Sequence, residues 1–270
     1  MFVATMREES QRTASALDVA ARAVASDWIV PFYQPKVMLA TGALSGFEAL
    51  LRWHHPDSGI QSPEKIAAAF NDTELGTAIG ERMRSRIFRD IRGWLDSGLD
   101  VGRIAINVSA AEFRRDNYAE RVLDDLRRME VPARCLEVEV TESVFLDSGA
   151  EFVERALRAL CGEGVTIALD DFGTGYASLS HLKRFPVDAI KIDRTFVGGL
   201  ETDADDAAIV RALLSLGRNL GIEVVAEGVE TAFQATLLQR MSCDLVQGYH
   251  FGRPMPARNV PSFVTSWAGV

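Results

Sequence analysis

Two adjacent carboxylates, Asp170 and Asp171, run straight into Phe172-Gly173-Thr174-Gly175-Tyr176. Upstream, Val165-Thr166-Ile167-Ala168-Leu169 is short, apolar and β-branched, which is the pattern of a buried strand. The strand therefore ends on two acids, and the glycines turn the backbone sharply or bring it close to something. Neighbouring carboxylates repel, and each is costly to desolvate. One or two divalent cations remove both difficulties. An Asx-type turn carrying two solvated acids is the other reading of the same residues. A lysine follows in Lys191-Ile192-Asp193-Arg194.

Other polar residues recur at the ends of predicted strands. Phe32 to Met38 and Leu44 to Trp53 are extended runs joined by Ala40-Thr41-Gly42, a connection short enough only for antiparallel neighbours. On the second run Glu48, Leu50 and Arg52 share one face, and Ala49, Leu51 and Trp53 the other. Glu48 and Arg52 read either as an ion pair or as groups that bind something. Ser62-Pro63 starts a helix, and a longer one carries Ile79, Met83, Ile87 and Ile91 towards Gly98. Arg103 to Asn107 is a strand ending on Asn107, and Tyr118, Val122, Leu126 and Met129 mark a helix that Pro132 closes. Cys135 to Thr141 is a strand with Glu137, Glu139 and Thr141 on one face. Ser148 and Glu151 form a capping box for the next helix. Val187 to Ile192 is a strand ending near Lys191. Ile209, Leu213, Leu216 and Leu220 line a helix. Ile222 to Ala226 is a strand ending on Glu227. Thr231 and Gln234 cap the helix that carries Phe233, Leu237 and Met241, and Asp244 to Gln247 is the last strand.

From Leu44 onward this gives seven strands, six of them preceded by a helical stretch. Alternating units imply a mostly parallel sheet. With the antiparallel hairpin strand the total is eight, enough to close a barrel. The expected fold is α/β, a TIM-like (β/α)8 barrel with its first strand antiparallel. No full GxGxxG fingerprint is present, since Gly173-Thr-Gly175-Tyr-Ala-Ser178 lacks the third glycine, so a doubly wound nucleotide fold is the weaker architecture. Residues 1–27 are polar and then alanine-rich. Ala14 to Ala25 reads as a leader or linker helix, with the folded domain at 28–262.

Composition narrows the function. The 270 residues fit a barrel of about 250. A net charge of −9 argues against a nucleic-acid surface, and it demands something positive in the site if the substrate is anionic. Cys135, Cys161 and Cys243 form no CxxC and fit spare thiols in a reducing compartment. His54-His55 lies in a Pro/Asp/Ser/Gly-rich loop, and no HExxH spacing exists, which disfavours a histidine-built zinc site. No apolar h-region opens the chain and no run reaches the length of a membrane span. The expected location is the cytoplasm.

Barrel active sites sit at the C-terminal ends of the strands. Glu48, Asn107, Glu139, Asp170 with Asp171, Lys191, Glu227 and Gln247 all fall there. Oxygen donors of this kind suit Mg²⁺ or Mn²⁺ rather than zinc. Asp170 and Asp171 could let one carboxylate bridge two ions about 3.5–4 Å apart, a pair that also neutralises a phosphate. Lys191 reads either as a structural partner of a nearby acid or as the cation that holds a nucleophilic water or developing charge.

Taken together, these residues resemble the EAL-domain cyclic-di-GMP phosphodiesterases. The motif that names the family stands as Glu48-Ala49-Leu50, within Tyr33-Gln34-Pro35 and Glu48-Ala-Leu-Leu-Arg52-Trp53. Asn107-Val-Ser109, Glu139-Val-Thr141-Glu142, Asp170-Asp171-Phe-Gly-Thr-Gly175, Lys191-Ile-Asp193-Arg194, Glu227-Gly-Val-Glu230 and Gln247-Gly-Tyr249 follow in order, so the resemblance spans about residues 28–258. It implies a barrel with an antiparallel first strand and hydrolysis of cyclic-di-GMP to linear pGpG with two ions of Mg²⁺ or Mn²⁺. It implies that Glu48, Asn107, Glu139 and Asp170 bind one metal, that Asp170 and Asp171 hold the second, and that Lys191 contacts the catalytic water. Glu227 would be a second-metal contact or a general base, and Gln247 would support the water and metal shell. Arg52 would clamp a substrate phosphate, Gln34 would lie near a guanine, and Glu142 would tether the loop after Asp171, a segment the family uses in dimerisation and control. Glu48, Lys191 and Glu227 are thus the expected catalytic residues.

Every expected ligand position is filled, which favours an enzyme over the alternative, a non-catalytic cyclic-di-GMP receptor or regulatory module. Lys65 to Gly76, with Phe70-Asn71-Asp72-Thr73, departs from a plain helix-to-loop join. A homodimer is expected. A sensor or GGDEF domain in a longer parent protein is a further expected partner, although no GGDEF motif occurs here.

Overall fold

The computed structural model describes residues 2–114, 117–145, 150–173, 179–267 and 269. An N-terminal helix, α1 (Phe2–Ala25), packs against a 3₁₀ helix (Pro63–Phe70) and the long helix that follows it. Its buried anchors include the small residues Ala20 and Ala23, which permit close approach. Two antiparallel strands follow, β1 (Ile29–Met38) and β2 (Leu44–His55), paired from Ile29–Trp53 through Val37–Leu44. The histidine pair expected in a loop closes β2 instead, because a short β3 (Gly59–Gln61) folds back on it.

Asp72 resolves the unusual Lys65–Gly76 stretch. Its carboxylate accepts from Glu74 N (3.0 Å) and Leu75 N (2.9 Å), capping α2 (Thr73–Asp96) directly after the 3₁₀ helix. α2 buries Ile79, Met83, Ile87 and Ile91, as their four-residue spacing predicts. Then come β4 (Arg103–Asn107), α3 (Ala110–Phe113), α4 (Tyr118–Arg128), β5 (Leu136–Thr141), α5 (Ala150–Gly162), β6 (Thr166–Phe172), α6 (Leu179–Arg184) and β7 (Ala189–Ile192). The chain ends with α7 (Arg194–Gly199), α8 (Ala204–Leu220), β8 (Glu223–Ala226), α9 (Ala232–Arg240), β9 (Leu245–Gln247), β10 (Met255–Pro256) and α10 (Val260–Ser266). Among the described residues β1, β2 and β4 to β9 close an eight-stranded barrel in the order β1-β9-β8-β7-β6-β5-β4-β2, with β2 returning to β1. β1 is antiparallel to both neighbours, and the other barrel strands pair in parallel. Short β10 adds to β1 outside this circuit.

Three local readings are refined. β6 does not stop at the aspartates: its register with β7 shifts between Leu169 and Phe172, and Asp171 takes a left-handed φ of 54°. The predicted sharp turn therefore begins two residues before the first glycine, and Gly173 continues it at φ 99°. α8 turns Val210 and Leu214 inward, while Ile209 and Leu220 are exposed. Apolar residues surround this helix, so its sequence spacing marked a face rotated from the buried one. The Thr231–Gln234 capping box forms as expected. The Ser148–Glu151 box, Gly175 and Tyr176 fall outside the described residues.

Candidate active site

Alternation along the barrel strands sends Gln34, Glu48, Glu139, Asp170, Lys191 and Gln247 inward at one end of the barrel. Register aligns them. Gln34 pairs with Glu48 across the hairpin, Asn107 with Glu139, and Thr141 with Asp170. Asn107 itself is set by the turn after β4, where Glu112 accepts from Ser109 N (3.1 Å) and Ser109 Oγ (3.3 Å). Gly248 lets the chain leave Gln247 tightly, since a Cβ there would sit 2.0 Å from Val229 O.

Lys191 lies at the centre, 1% exposed. Its Nζ is 2.6 Å from Glu227 Oε1, 2.7 Å from Glu139 Oε2, 3.1 Å from Asp170 Oδ1 and 3.6 Å from Glu48 Oε1. The four acids come from β2, β5, β6 and the end of β8. Glu48 accepts from Asn107 Nδ2 (2.7 Å) and Gln247 Nε2 (2.5 Å). Gln247 also donates to Gln34 Oε1 (3.1 Å), and Gln34 donates to Gly252 O (3.1 Å). Eight of the eleven residues singled out from the sequence thus form one connected network. The other three lie beside it. Asp171 N donates to Asp170 Oδ1 (2.9 Å), while the Asp171 side chain interacts with Asp193. Glu142 Oε1 accepts from Gly173 N (3.3 Å), so it holds the turn after the aspartates. Arg52 donates Nη1 to Leu51 O (2.7 Å) and, with Asn107, lines a cavity of about 410 Å³ whose apolar wall includes Leu50, Phe70, Ile79 and Met83.

The electrostatics are uneven. Burial alone would raise Glu48, but Lys191 and the Gln247 and Asn107 donors hold its carboxyl down at about 2. Burial, with repulsion from Glu48 and Asp170, pushes Glu139 well above the usual range despite Lys191. Burial raises Glu227 to about 8 against the pull of Lys191, and repulsion from Asp170 and Glu48 adds to the rise. Burial and its neighbour Asp170 raise Asp171 to about 6. Lys191 is raised well above its ordinary value, because its acids outweigh its desolvation.

The donor set fits a hard divalent ion. Carboxylates and amides converge, and Glu139 Oε1 and Gln247 Oε1 are buried without a hydrogen-bond partner among the described residues. One lysine faces four acids, so the cluster carries an excess of negative charge. Among the described residues no group of three or more acidic, histidine or cysteine side chains closes around a metal position. The acids are drawn to the ammonium instead. The oxygen donors gathered at this end of the barrel are Glu48, Asn107, Glu139 and Asp170, with Asp171 beside them.

Sequence reasoning missed one charged group beneath this cluster. Lys36 is 1% exposed and bonds Glu137 Oε1 at 2.6 Å. Its signal was available: Lys36 alternates with Gln34, and Glu137 with Glu139, so both point into the barrel.

Comparison with known proteins agrees with this architecture. The EAL domain family model matches residues 18–254. The chain is 41% identical over 260 residues to the bifunctional diguanylate cyclase/cyclic di-GMP phosphodiesterase MucR of Pseudomonas aeruginosa, covering 96% of this chain and 38% of MucR. It is 35% identical over 249 residues to the cyclic di-GMP phosphodiesterase NbdA of the same organism, covering 91% of this chain and 31% of NbdA. This chain therefore spans well under half the length of either relative. The solved structure of the P. aeruginosa MucR phosphodiesterase in complex with c-di-GMP superposes with a TM-score of 0.84 at 41% identity, covering 91% of this chain and 99% of that one. The EAL enzyme Bd1971, solved with cAMP and cyclic-di-GMP bound, gives a TM-score of 0.89 at 26% identity, covering 95% of this chain and 70% of that one.

Proposed function

Since this chain belongs to the EAL domain family, we propose that it is a phosphodiesterase that hydrolyses cyclic-di-GMP to linear pGpG. The observation that carries the reading is the Lys191 ammonium held by four acids from different parts of the barrel, in a network that reaches Asn107, Gln247 and Gln34. Mg²⁺ or Mn²⁺, two ions when bound, would supply Lewis acidity towards water and phosphate and would offset the acid excess. Glu48, Asn107, Glu139 and Asp170 would hold one ion, and Asp170 with Asp171 the other.

The chain's own residues then have distinct tasks. Lys191, rigidly ringed, would orient the attacking water and meet negative charge developing on the phosphate. Glu227, 2.6 Å from Lys191 Nζ and outside the proposed ligand set, would act as general base towards the water that Lys191 orients. Gln247 keeps Glu48 oriented through its 2.5 Å bond. Arg52 at the rim of the cavity would take a phosphate oxygen, and the apolar wall beside it would shelter a nucleobase. Gln34 would hydrogen-bond a guanine edge. Glu142 would keep the turn after Asp171 in place. We further propose that residues 28–262 form the catalytic unit, with 1–27 as a leader or linker helix, and that it works as a homodimer, which sedimentation measures. Among the described residues no helix is long and apolar enough to cross a membrane.

Chromatographic separation of pGpG tests the reading. Glu48→Ala is expected to lose about 10³-fold or more in turnover while keeping wild-type circular dichroism. Near-wild-type hydrolysis by that variant sinks the assignment. Nucleotide binding by the wild type without pGpG in either metal would instead make the chain a receptor.

A further inference from the structure

A second buried ammonium lies one layer deeper in the barrel. Lys36 stands two residues beyond Gln34 on β1, so the strand alternation sends it to the same interior, further from the mouth. Its Nζ is 2.6 Å from Glu137 Oε1 and 3.8 Å from Glu139 Oε1. Among the described residues that Glu139 oxygen has no hydrogen-bond partner, whereas its Oε2 accepts from Lys191 at 2.7 Å. Beyond Glu137, Arg103 Nε lies 3.9 Å from Glu137 Oε2, and Arg103 Nη2 is 2.6 Å from Glu223 Oε2 at the strands' N-terminal ends. Charges therefore alternate through the barrel: Lys191, Glu139, Lys36, Glu137, Arg103, Glu223.

A buried ion pair needs only one acid for Lys36, and Glu137 supplies it. The second contact distinguishes this lysine from a simple structural partner. Glu139 is one of the residues able to hold a divalent ion, and it sits between two ammonium groups, one on each oxygen. A ligand carboxylate keeps its orientation through partners behind it, and losing such a partner commonly weakens metal binding by about 10–100-fold.

We infer that Lys36, braced by Glu137, is a positioning residue for Glu139: it attracts the Glu139 oxygen that Lys191 leaves unbonded and so fixes the carboxylate as a divalent-cation ligand. The inference rests on the metal site proposed above. It predicts that the deeper layer controls metal affinity although none of its residues belongs to the proposed ligand set.

The test is Mn²⁺ binding to the full chain by titration calorimetry. Lys36→Met alone leaves Glu137 buried and unpaired, and unfolding would mask the effect. Lys36→Met/Glu137→Leu removes both charges and nearly keeps the volume. Glu137→Gln retains Lys36 and serves as the comparison. The double variant is expected to stay folded by circular dichroism and to bind Mn²⁺ roughly 10–100-fold more weakly, while Glu137→Gln stays within about threefold of wild type. A purely structural pair would move the melting temperature and leave the Mn²⁺ dissociation constant alone. A folded double variant with wild-type Mn²⁺ affinity overturns the inference and leaves the metal reading standing. Wild-type binding that Glu139→Gln does not weaken overturns both.

Discussion

Two charged layers share the barrel interior, and they are balanced differently. In the deeper one Lys36 and Arg103 face Glu137 and Glu223, two cations against two acids. In the layer at the mouth Lys191 faces Glu48, Glu139, Asp170 and Glu227, and Lys36 reaches Glu139 from below at 3.8 Å. The deeper layer is electrically complete within the protein. The outer layer is not, and its excess of acid is held partly by protons, as the raised Glu139 and Glu227 groups show. That unmatched acid is what the proposed divalent ions would offset.

Lys191→Met should give the largest contrast between the layers. It removes the one cation from the outer cluster, and turnover is expected to fall by about 10³-fold or more. Metal-free stability should drop by about 3–5 kcal/mol at neutral pH, because buried acids lose their partner. Lower pH should relieve part of that loss by protonating them. Thermal melts across pH, alongside the hydrolysis assay, check both effects. An unchanged melt would mean that the ammonium does not organise the acids.

Proton competition sharpens the same contrast. Glu227 is raised from an ordinary 4.5 to about 8 in the folded chain. The folded state therefore holds this proton more tightly than the unfolded state does. Its contribution to metal-free stability is complete below about 4.5 and is lost as pH rises through about 8. Mn²⁺ affinity should run the other way, strengthening from pH 5 towards 8 as the outer acids give up protons. Calorimetry in buffers of different ionisation enthalpy should record proton release on binding. Binding that ignores pH in this window would place the ion elsewhere.

Arg103→Met is the smallest of these effects. Arg103 and Glu223 are each about a third exposed, and solvent screens them, so the expected loss is about 1 kcal/mol. Turnover should stay within about twofold, since Lys36 and Glu137 remain paired. A large loss of activity would show that the whole column of charges, not Lys36 alone, reaches the site.

Much of this architecture was readable before the fold. Strands showed themselves as short alternating runs between helical stretches, and each parallel strand delivers a polar residue to the same barrel end. Glu48, Asn107, Glu139, Asp170, Lys191, Glu227, Gln247 and Gln34 meet in one network because strand registry converts sequence position into height along the barrel. What escaped reading depends on tertiary balance. Lys36 was not singled out: alternation places it inside the barrel with Gln34, but only the closed barrel brings Glu137 beside it. The register shift in β6 left no mark beyond Gly173, since Asp171 itself takes the left-handed conformation. α8 is apolar on several sides, so Ile209 and Leu220 could not be told from Val210 and Leu214 without the barrel wall they pack on.

The most direct measurement is incubation of the purified chain with cyclic-di-GMP in Mg²⁺, in Mn²⁺ and in chelator, resolving the products by chromatography. The account predicts pGpG with either or both metals and none in chelator. Equal pGpG in chelator, or no pGpG with any metal, would contradict the claim that the outer layer's acid excess is a metal-dependent hydrolytic site.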